Sequence, residues 1–507
     1  MNSTCEPVRQ RVRVTPYLTY RHSGVEWLGE VPEHWQIRRL TTVADLRVSN
    51  VDKHVREGEF PVRLCNYMDV YHNERITADV RLIAGTATER EMRRFRLALG
   101  DVLFTKDSED WSDIGVPALV EYAAHDVVCG YHLAMLRPDR ASLDGGYLFQ
   151  ALNDTRVAWQ FQVAAAGVTR YGLSQNAIRS LRIPLPPLVE QTAIARFLDD
   201  ADRRIRGCIR AKERLIQLLE EERRATIHEA VTGRIDVQTG QPYPAYKDSG
   251  IEWLGKLPAH WDLRSLGTFG RFFKGRGGTK ADETGRGVPC VRYGDLYTRH
   301  QFHIVESKAC LAPHRAGAYT PVRYGDVLFA GSGETVEEIG KSAVNLIRES
   351  AVCGGDVIVY RPTIEVDAEF MGWSTDCRQA AFQKARMGRG ITVMHIYSSD
   401  LKYLAVPLPP LTEQTAIARF LAAADRRISA RRETVAQQIE LLREYRTRLI
   451  ADVVTGKLDV REAEAGLPDS SGRSHAVGAT RRSTADRSWP GASATTPLGD
   501  SAPRERR

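Results

Sequence analysis

Much of this 507-residue chain is written twice, which narrows its fold to two copies of one plan. Tyr20–Trp35 reads YRHSGVEWLGEVPEHW and returns 226 residues later, at Tyr246–Trp261, as YKDSGIEWLGKLPAHW. PLPPLVEQTAIARFL at Pro184–Leu198 returns 223 residues later, at Pro407–Leu421, with one position in fifteen changed. TGRIDV at Thr232–Val237 is answered by TGKLDV at Thr455–Val460, again 223 residues on. Between these blocks the halves keep only landmarks: GDVLF from Gly100 and Gly325, Val-Cys-Gly around Cys129 and Cys353, and Arg-Pro at Arg137 and Arg361. Duplication followed by neutral drift would spread the differences; here they are concentrated in one interior block per half. The expectation is a shared scaffold carrying two different surfaces.

The proline blocks predict long helices. Pro-Pro sets an extended entry, and Glu190–Gln191 or Glu413–Gln414 follow in the first turn, where the helix dipole favours an acid. Apolar residues then step by fours, threes and sevens: Ile194, Leu198, Ala201, Ile205, Cys208, Leu215 and Leu219 in the first, Ile417, Leu421, Ala424, Ile428, Val435, Leu442, Tyr445 and Leu449 in the second. That is a coiled-coil seam. Lys212 and Arg431 interrupt it, and Gly233 and Gly456 stand where a helix-ending glycine belongs. Two rods of roughly 60 Å joined by about a dozen residues invite antiparallel packing.

The interior blocks, Thr41–Ile183 and Ser265–Val406, mix strand-like runs (Asp101–Phe104, Val357–Tyr360, Arg182–Pro186) with one helical stretch each, about Gly146–Ala166 and Ala368–Met387. Both periodicities together predict compact mixed α/β domains. The expected organisation is an N-terminal arm over 1–19, a first domain with its entrance segment over 20–187, a long helix over 188–233 and a linker over 234–245. A second domain over 246–410 and a second long helix over 411–456 follow, and the Ser-, Ala-, Gly- and Arg-rich stretch 461–507 is expected to be a disordered tail.

Composition excludes more than it assigns. No apolar run approaches the roughly 20 residues of a membrane span, and Met1–Arg13 lacks the apolar core of a secretory signal, so a cytoplasmic protein is expected. The eight cysteines are scattered, without zinc-ligand spacing, and no metal or cofactor is expected. Net charge is +7, but the stretch Gly466–Arg507 holds seven Arg against four acids, so a nucleic-acid argument must rest on local placement of cations.

Twin EWLGxxPxHW segments, PLPPLxEQxxIAxFL twice and two unlike interior blocks resemble the specificity subunit of type I restriction-modification systems, over about Tyr20–Val460. The resemblance implies that the interior blocks are target recognition domains and that the long helices form an antiparallel coiled coil between them. It also implies two modification (methyltransferase) subunits and motor-nuclease restriction subunits as partners, with no catalytic residue in this chain. Two similar domains about a pseudo-twofold can each enter a major groove in equivalent orientation, so a double-stranded, asymmetric, bipartite DNA target is expected. Candidate DNA contacts are Arg93, Arg94, Arg96, Lys106, Arg170, Tyr171 and Gln175 in the first domain. In the second they are Arg271, Lys274, Arg276, Lys280, Arg386, Arg389 and His395, with KGRGGTK (Lys274–Lys280) able to bring backbone amides near a phosphate. For each, a merely solvated cation is the competing reading. Trp27, Trp35, Trp253 and Trp261 are expected to pack domains onto the framework.

Two other functions compete with this reading. LFAGSGE at Leu328–Glu334 resembles a methyltransferase cofactor loop around Gly331–Gly333, but its counterpart reads LFTKDSED and no Asn/Asp-Pro-Pro-Tyr/Phe motif is present to hold a flipped base. A DNA-independent coiled-coil scaffold would share the rod without any sequence preference.

Overall fold

The computed structural model describes residues 14–251, 254–278 and 282–468. Of the residues singled out above, Trp253 and Lys280 lie outside this set, as do the arm before Val14 and the tail beyond Pro468.

The two long helices span Leu188–Val231 and Leu411–Val454, 44 residues each, or about 65 Å of rod. Each starts directly after Pro-Pro and is closed by Gly233 or Gly456 at positive φ, +67° and +76°. They run antiparallel, since rising numbers on one meet falling numbers on the other. Asp202 takes a hydrogen bond from Arg446 (2.5 Å), Lys212 reaches Gln438 (2.6 Å), and Arg223 reaches Asp425 (2.5 Å).

The seam departs from the expected one in its middle. Ile194, Leu198, Ile205, Leu219, Ile417, Leu421, Ile428, Val435 and Leu449 are buried, but Leu215 is 42% exposed, Tyr445 is 56% exposed and Leu442 is half-buried. The inward face runs through Ile205, Ile209, Lys212, Ile216, Leu219, Arg223 and Ile227, and its exact 223-residue counterparts are Ile428, Arg432, Val435, Ile439, Leu442, Arg446 and Ile450. Stepping seven from Cys208 to Leu215 therefore lands one position off the stripe. The true stripe is masked in sequence because it carries cations, and Arg223 is only 6% exposed.

Each domain is centred on a five-stranded sheet of the same order. In the first it runs Ala44–Val48, Leu133–Pro138, Val102–Thr105, Pro117–Val120, Arg75–Ile76; in the second Gly270–Lys274, Val357–Pro362, Val327–Ala330, Ser342–Asn345, Phe302–Ile304. All neighbours are antiparallel except the last pair. Divergence sits in the companion sheet, three strands in the first domain and five in the second. The helical stretch after the sheet is two helices rather than the one expected: Gly145–Asn153 and Thr155–Ala164, matched by Ala368–Asp376 and Arg378–Met387. Asp154 makes the break in the first domain, because its carboxylate accepts from the N–H groups of Arg156 (2.9 Å) and Val157 (3.0 Å) and so starts a new helix.

Both ends of each domain are stitched together. Gln36–Arg39 pairs with Arg182–Leu185, and Asp262–Ser265 with Ala405–Leu408, each second strand running into its proline block. The first core continues into Ile194, Phe197 and Leu198 of one rod helix and Leu449, Ile450, Val453 and Val454 of the other. The second core takes in Ile227, Ala230 and Val231 with Ile417, Ala418 and Leu421. One domain therefore sits on each end of the rod. Beyond the second helix, Arg461–Ala465 forms a short helix with Ala463 buried, where the tail was expected to begin.

Candidate nucleic-acid interface

The three repeated blocks meet in space, twice. At the first rod end, Glu190 accepts from the indole of Trp35 (3.0 Å), pairs with His34 (2.9 Å) and takes a short bond from the Tyr17 hydroxyl. At the other, Glu413 accepts from Trp261 (2.9 Å) and Tyr243 (3.0 Å) and pairs with His260 (2.7 Å). Burial and the bond to the carboxylate push both tyrosine phenols far above their usual value, so each remains a donor. Gly456 faces Pro32 and Trp35, and Gly233 faces Pro258 and Trp261; a Cβ there would lie 2.3 Å and 2.5 Å from the proline rings. Each node thus joins the start of one rod helix, the end of the other and an entrance hairpin. Trp35 and Trp261 pack domain onto framework, as expected.

The neighbouring glutamines hold the domains in register. Gln191 accepts from the Asp144 N–H (2.9 Å) and donates to the Pro186 carbonyl (2.8 Å); Gln414 does the same with Asp367 (2.9 Å) and Pro409 (2.8 Å). The interior landmarks also pair. The Asp of GDVLF and the Arg of Arg-Pro form a two-bond ion pair in both domains, Asp101 with Arg137 (2.9 and 2.6 Å) and Asp326 with Arg361 (2.8 and 2.6 Å). Cys129 and Cys353 sit on strands paired in parallel with Cys65 and Val291.

The candidate DNA residues fall into distinct groups. Arg93 and Arg94 line an open concavity with Arg47 and Arg90 and the acids Asp45 and Glu89; of the two added cations, Arg47 is out of reach of sequence spacing, since it comes from a strand more than 40 residues away. Arg93 pairs with Glu89, and the Arg94 guanidinium lies over Phe95. Arg96 is tied through its backbone to Val128. In the second domain Arg271 and Lys274 lie on the edge strand of the central sheet, and the Arg276 N–H is held by Thr320 (2.9 Å). Arg386 stacks on Phe382.

Lys106 is mostly covered and bonded to Asp107 (2.7 Å), which also meets His132 (2.7 Å). Burial pushes the Asp107 carboxyl up, but the bonds from Lys106 and His132 outweigh it and hold it below its usual range. Arg170 approaches the same His132 (3.5 Å), and Tyr171 pairs with Ser108, so three of the sequence candidates, Lys106, Arg170 and Tyr171, converge with their partners at one end of the central strand. The matching end in the second domain gathers Arg389 and His395, with His395 bonded to Ser332 (3.1 Å) and Arg389 to Asp400 (2.8 Å). Gln175 opens the short helix that follows, Gln175–Ser180. The glycine-rich Gly331–Gly333 stretch is the counterpart of Lys106–Ser108: Ser332–Gly333 pairs with Met394–His395 just as Asp107–Ser108 pairs with Tyr171–Gly172. Among the described residues no group of His, Cys, Asp and Glu could hold a metal ion, and no helix is long and apolar enough to cross a membrane.

Comparison with known proteins agrees with this geometry. The family described as the type I restriction modification DNA specificity domain matches twice, over residues 32–218 and 259–441. A Methanocaldococcus jannaschii protein assigned as the specificity subunit of the type I restriction enzyme MjaX is 25% identical over 450 residues, covering 86% of this chain and 96% of the relative. The EcoKI type I restriction enzyme specificity subunit of Escherichia coli K12 is 21% identical over 409 residues, covering 77% of this chain and 82% of the relative. A solved structure described as the basis of complex assembly and conformational transition of the type I R-M system superposes with a TM-score of 0.62 at 17% identity, over 84% of this chain and 98% of that one. That likeness is one of fold.

Proposed function

The chain belongs to the type I restriction modification DNA specificity family, and on that ground we propose that it is the non-catalytic, DNA-reading subunit of a cytoplasmic type I restriction-modification complex. One observation carries the reading: two equivalent nodes, built from repeated residues around Glu190 and Glu413, hold two domains whose companion sheets differ. Equivalent mounting gives each domain the same approach to a duplex, whose backbone has its own twofold. Unlike surfaces then read unlike half-sites, and the rod sets the unread spacer between them.

Repetition of the framework also assigns the partners. A surface present twice binds the same protein twice, which suits two modification subunits, with motor-nuclease subunits joining the assembly. Methyl transfer and cleavage belong to those partners. The basic concavity around Arg47, Arg90, Arg93 and Arg94, and the clusters at Arg170 and Arg389, are the proposed places of DNA contact.

Methylome sequencing of cells carrying this chain with its modification subunit tests the reading. It should return one asymmetric two-part motif with a spacer of fixed length, and the purified complex should bind that motif tightly and salt-sensitively. A complex that binds DNA without sequence preference would favour the scaffold instead, and adenosylmethionine binding by the isolated chain would favour an intrinsic methyltransferase.

A further inference from the structure

Two loops at the far end of the central strands are the same in both domains although the domains read as unlike. Ala166 and Gly172 exchange backbone hydrogen bonds (3.2 and 2.9 Å) around Gly-Val-Thr-Arg-Tyr; Arg389 and His395 exchange theirs (2.9 and 2.7 Å) around Gly-Ile-Thr-Val-Met. Both loops are rooted on the same element, by Leu173 N–H to the Lys106 carbonyl (2.8 Å) and Ile396 N–H to the Gly331 carbonyl (3.0 Å). The leading glycines have φ of +152° and +130°, and a Cβ would come within 2.0 Å of the Arg170 carbonyl oxygen or 2.1 Å of that of Val393. Only glycine allows the turn. It thrusts the next side chain outward: Val168 is 91% exposed and Ile391 101%. A branched aliphatic residue standing free at the same place in two divergent domains has no packing role in this chain.

What recurs in two readers of different sequences cannot be what distinguishes those sequences. On a domain that reads DNA, such an element fits what both half-sites share, and in a duplex that is the sugar–phosphate backbone. Cations beside each loop fit an anionic partner: Arg170 and Lys106 at the first, Arg389 at the second. We propose that the two Gly-(Val/Ile)-Thr loops are sequence-neutral clamps on the DNA backbone. Thr169 and Thr392, with the loop N–H groups, hold phosphate oxygens, and Val168 and Ile391 lie against the deoxyribose. The clamps set how deeply and in which register each domain enters its groove, while base choice is left to surfaces that differ. The inference rests on the DNA-reading function proposed above and assigns it two positioning elements.

The test uses the complex reconstituted with modification subunits, and a duplex carrying the motif recovered by methylome sequencing. In V168D/I391D, two exposed side chains become anions without disturbing the core. Affinity should fall roughly tenfold or more for specific and random duplex alike, with the methylated motif unchanged and modification-subunit association intact. In V168K/I391K, two added phosphate contacts should steepen the salt dependence of log K by about 1.8, at about 0.9 per phosphate. A changed base preference in either half-site would overturn the proposal by showing that the loop reads sequence. Lost association with the modification subunit would overturn it in favour of a protein-docking knob, and unchanged affinity in both variants would remove the contact altogether. If the wild-type complex showed no bipartite motif at all, the parent reading would fail first, which is a separate outcome.

Discussion

Arg223 of the first rod helix donates to Asp425 of the second at 2.5 Å, and the 223-residue counterparts of these two residues, Arg446 and Asp202, make the same bond with the roles of the helices exchanged. The guanidinium of Arg223 also lies over Phe302 of the second domain, whereas Arg446 reaches Glu74 of the first at 2.9 Å. A charge placed within a seam penalises any register that leaves it unpaired, so these two bonds fix the antiparallel alignment of the helices.

Asp425→Ala should therefore destabilise the chain by about 2 kcal/mol. That is below the roughly 3–5 kcal/mol of a fully buried pair because Asp425 keeps some water contact. Urea unfolding followed by far-UV circular dichroism measures it, and the swap R223D/D425R should recover part of the loss.

Glu190→Ala strands the Trp35 and Tyr17 donors in a buried node and should cost about 3 kcal/mol, at roughly 1–3 kcal/mol for each unmet donor. Trp35→Phe removes one donor and keeps most of the packing, so about 1 kcal/mol is expected. Thermal melts of the two variants should rank in that order; equal losses would mean that the indole acts through its volume alone.

Acid should weaken the second half of the molecule. Burial pushes His303 below its usual range against the counteracting bond to the Glu369 carbonyl (3.0 Å), and burial does the same to His300 and to His228 on the rod. The unfolded chain therefore takes up protons first as pH falls below about 6.5, and stability is lost from there down through the folded-state values. Urea midpoints at pH 7.5 and pH 5.5 should show the loss, and His303→Gln should flatten the difference.

Four residues inserted into one rod helix add about one turn, roughly 6 Å, against about 3.4 Å per base pair. The methylated motif should keep both half-sites and gain one to two base pairs of spacer. An unchanged spacer would show that the rod does not act as the ruler.

The repeat was plain in the sequence, yet its purpose was not. Trp35, Glu190 and Gly456 stand in three separate blocks, and only the antiparallel return of the second helix brings them together. The same holds for Asp101 and Arg137, visible as landmarks but not as partners. The seam passes beside Leu215 rather than through it, and apolar periodicity cannot register Lys212 and Arg223 as inward residues when their side chains bond across the interface. Asp154 is hidden inside a helical pattern, since a carboxylate reads the same whether it faces water or caps the next helix. Arg47 joined Arg90 and Arg93 only through folding.

Each domain leaves the framework and returns to it through one narrow doorway, the pairing of Gln36–Arg39 with Arg182–Leu185 or of Asp262–Ser265 with Ala405–Leu408. The interior between those strands can be replaced as a cassette while the struts stay as they are, provided that its anchors on the rod, such as Asp144 and Glu74 or Asp367 and Phe302, are kept. A lineage that exchanges such cassettes acquires a new address on the chromosome in a single genetic event, with no need to re-evolve the machinery that acts there.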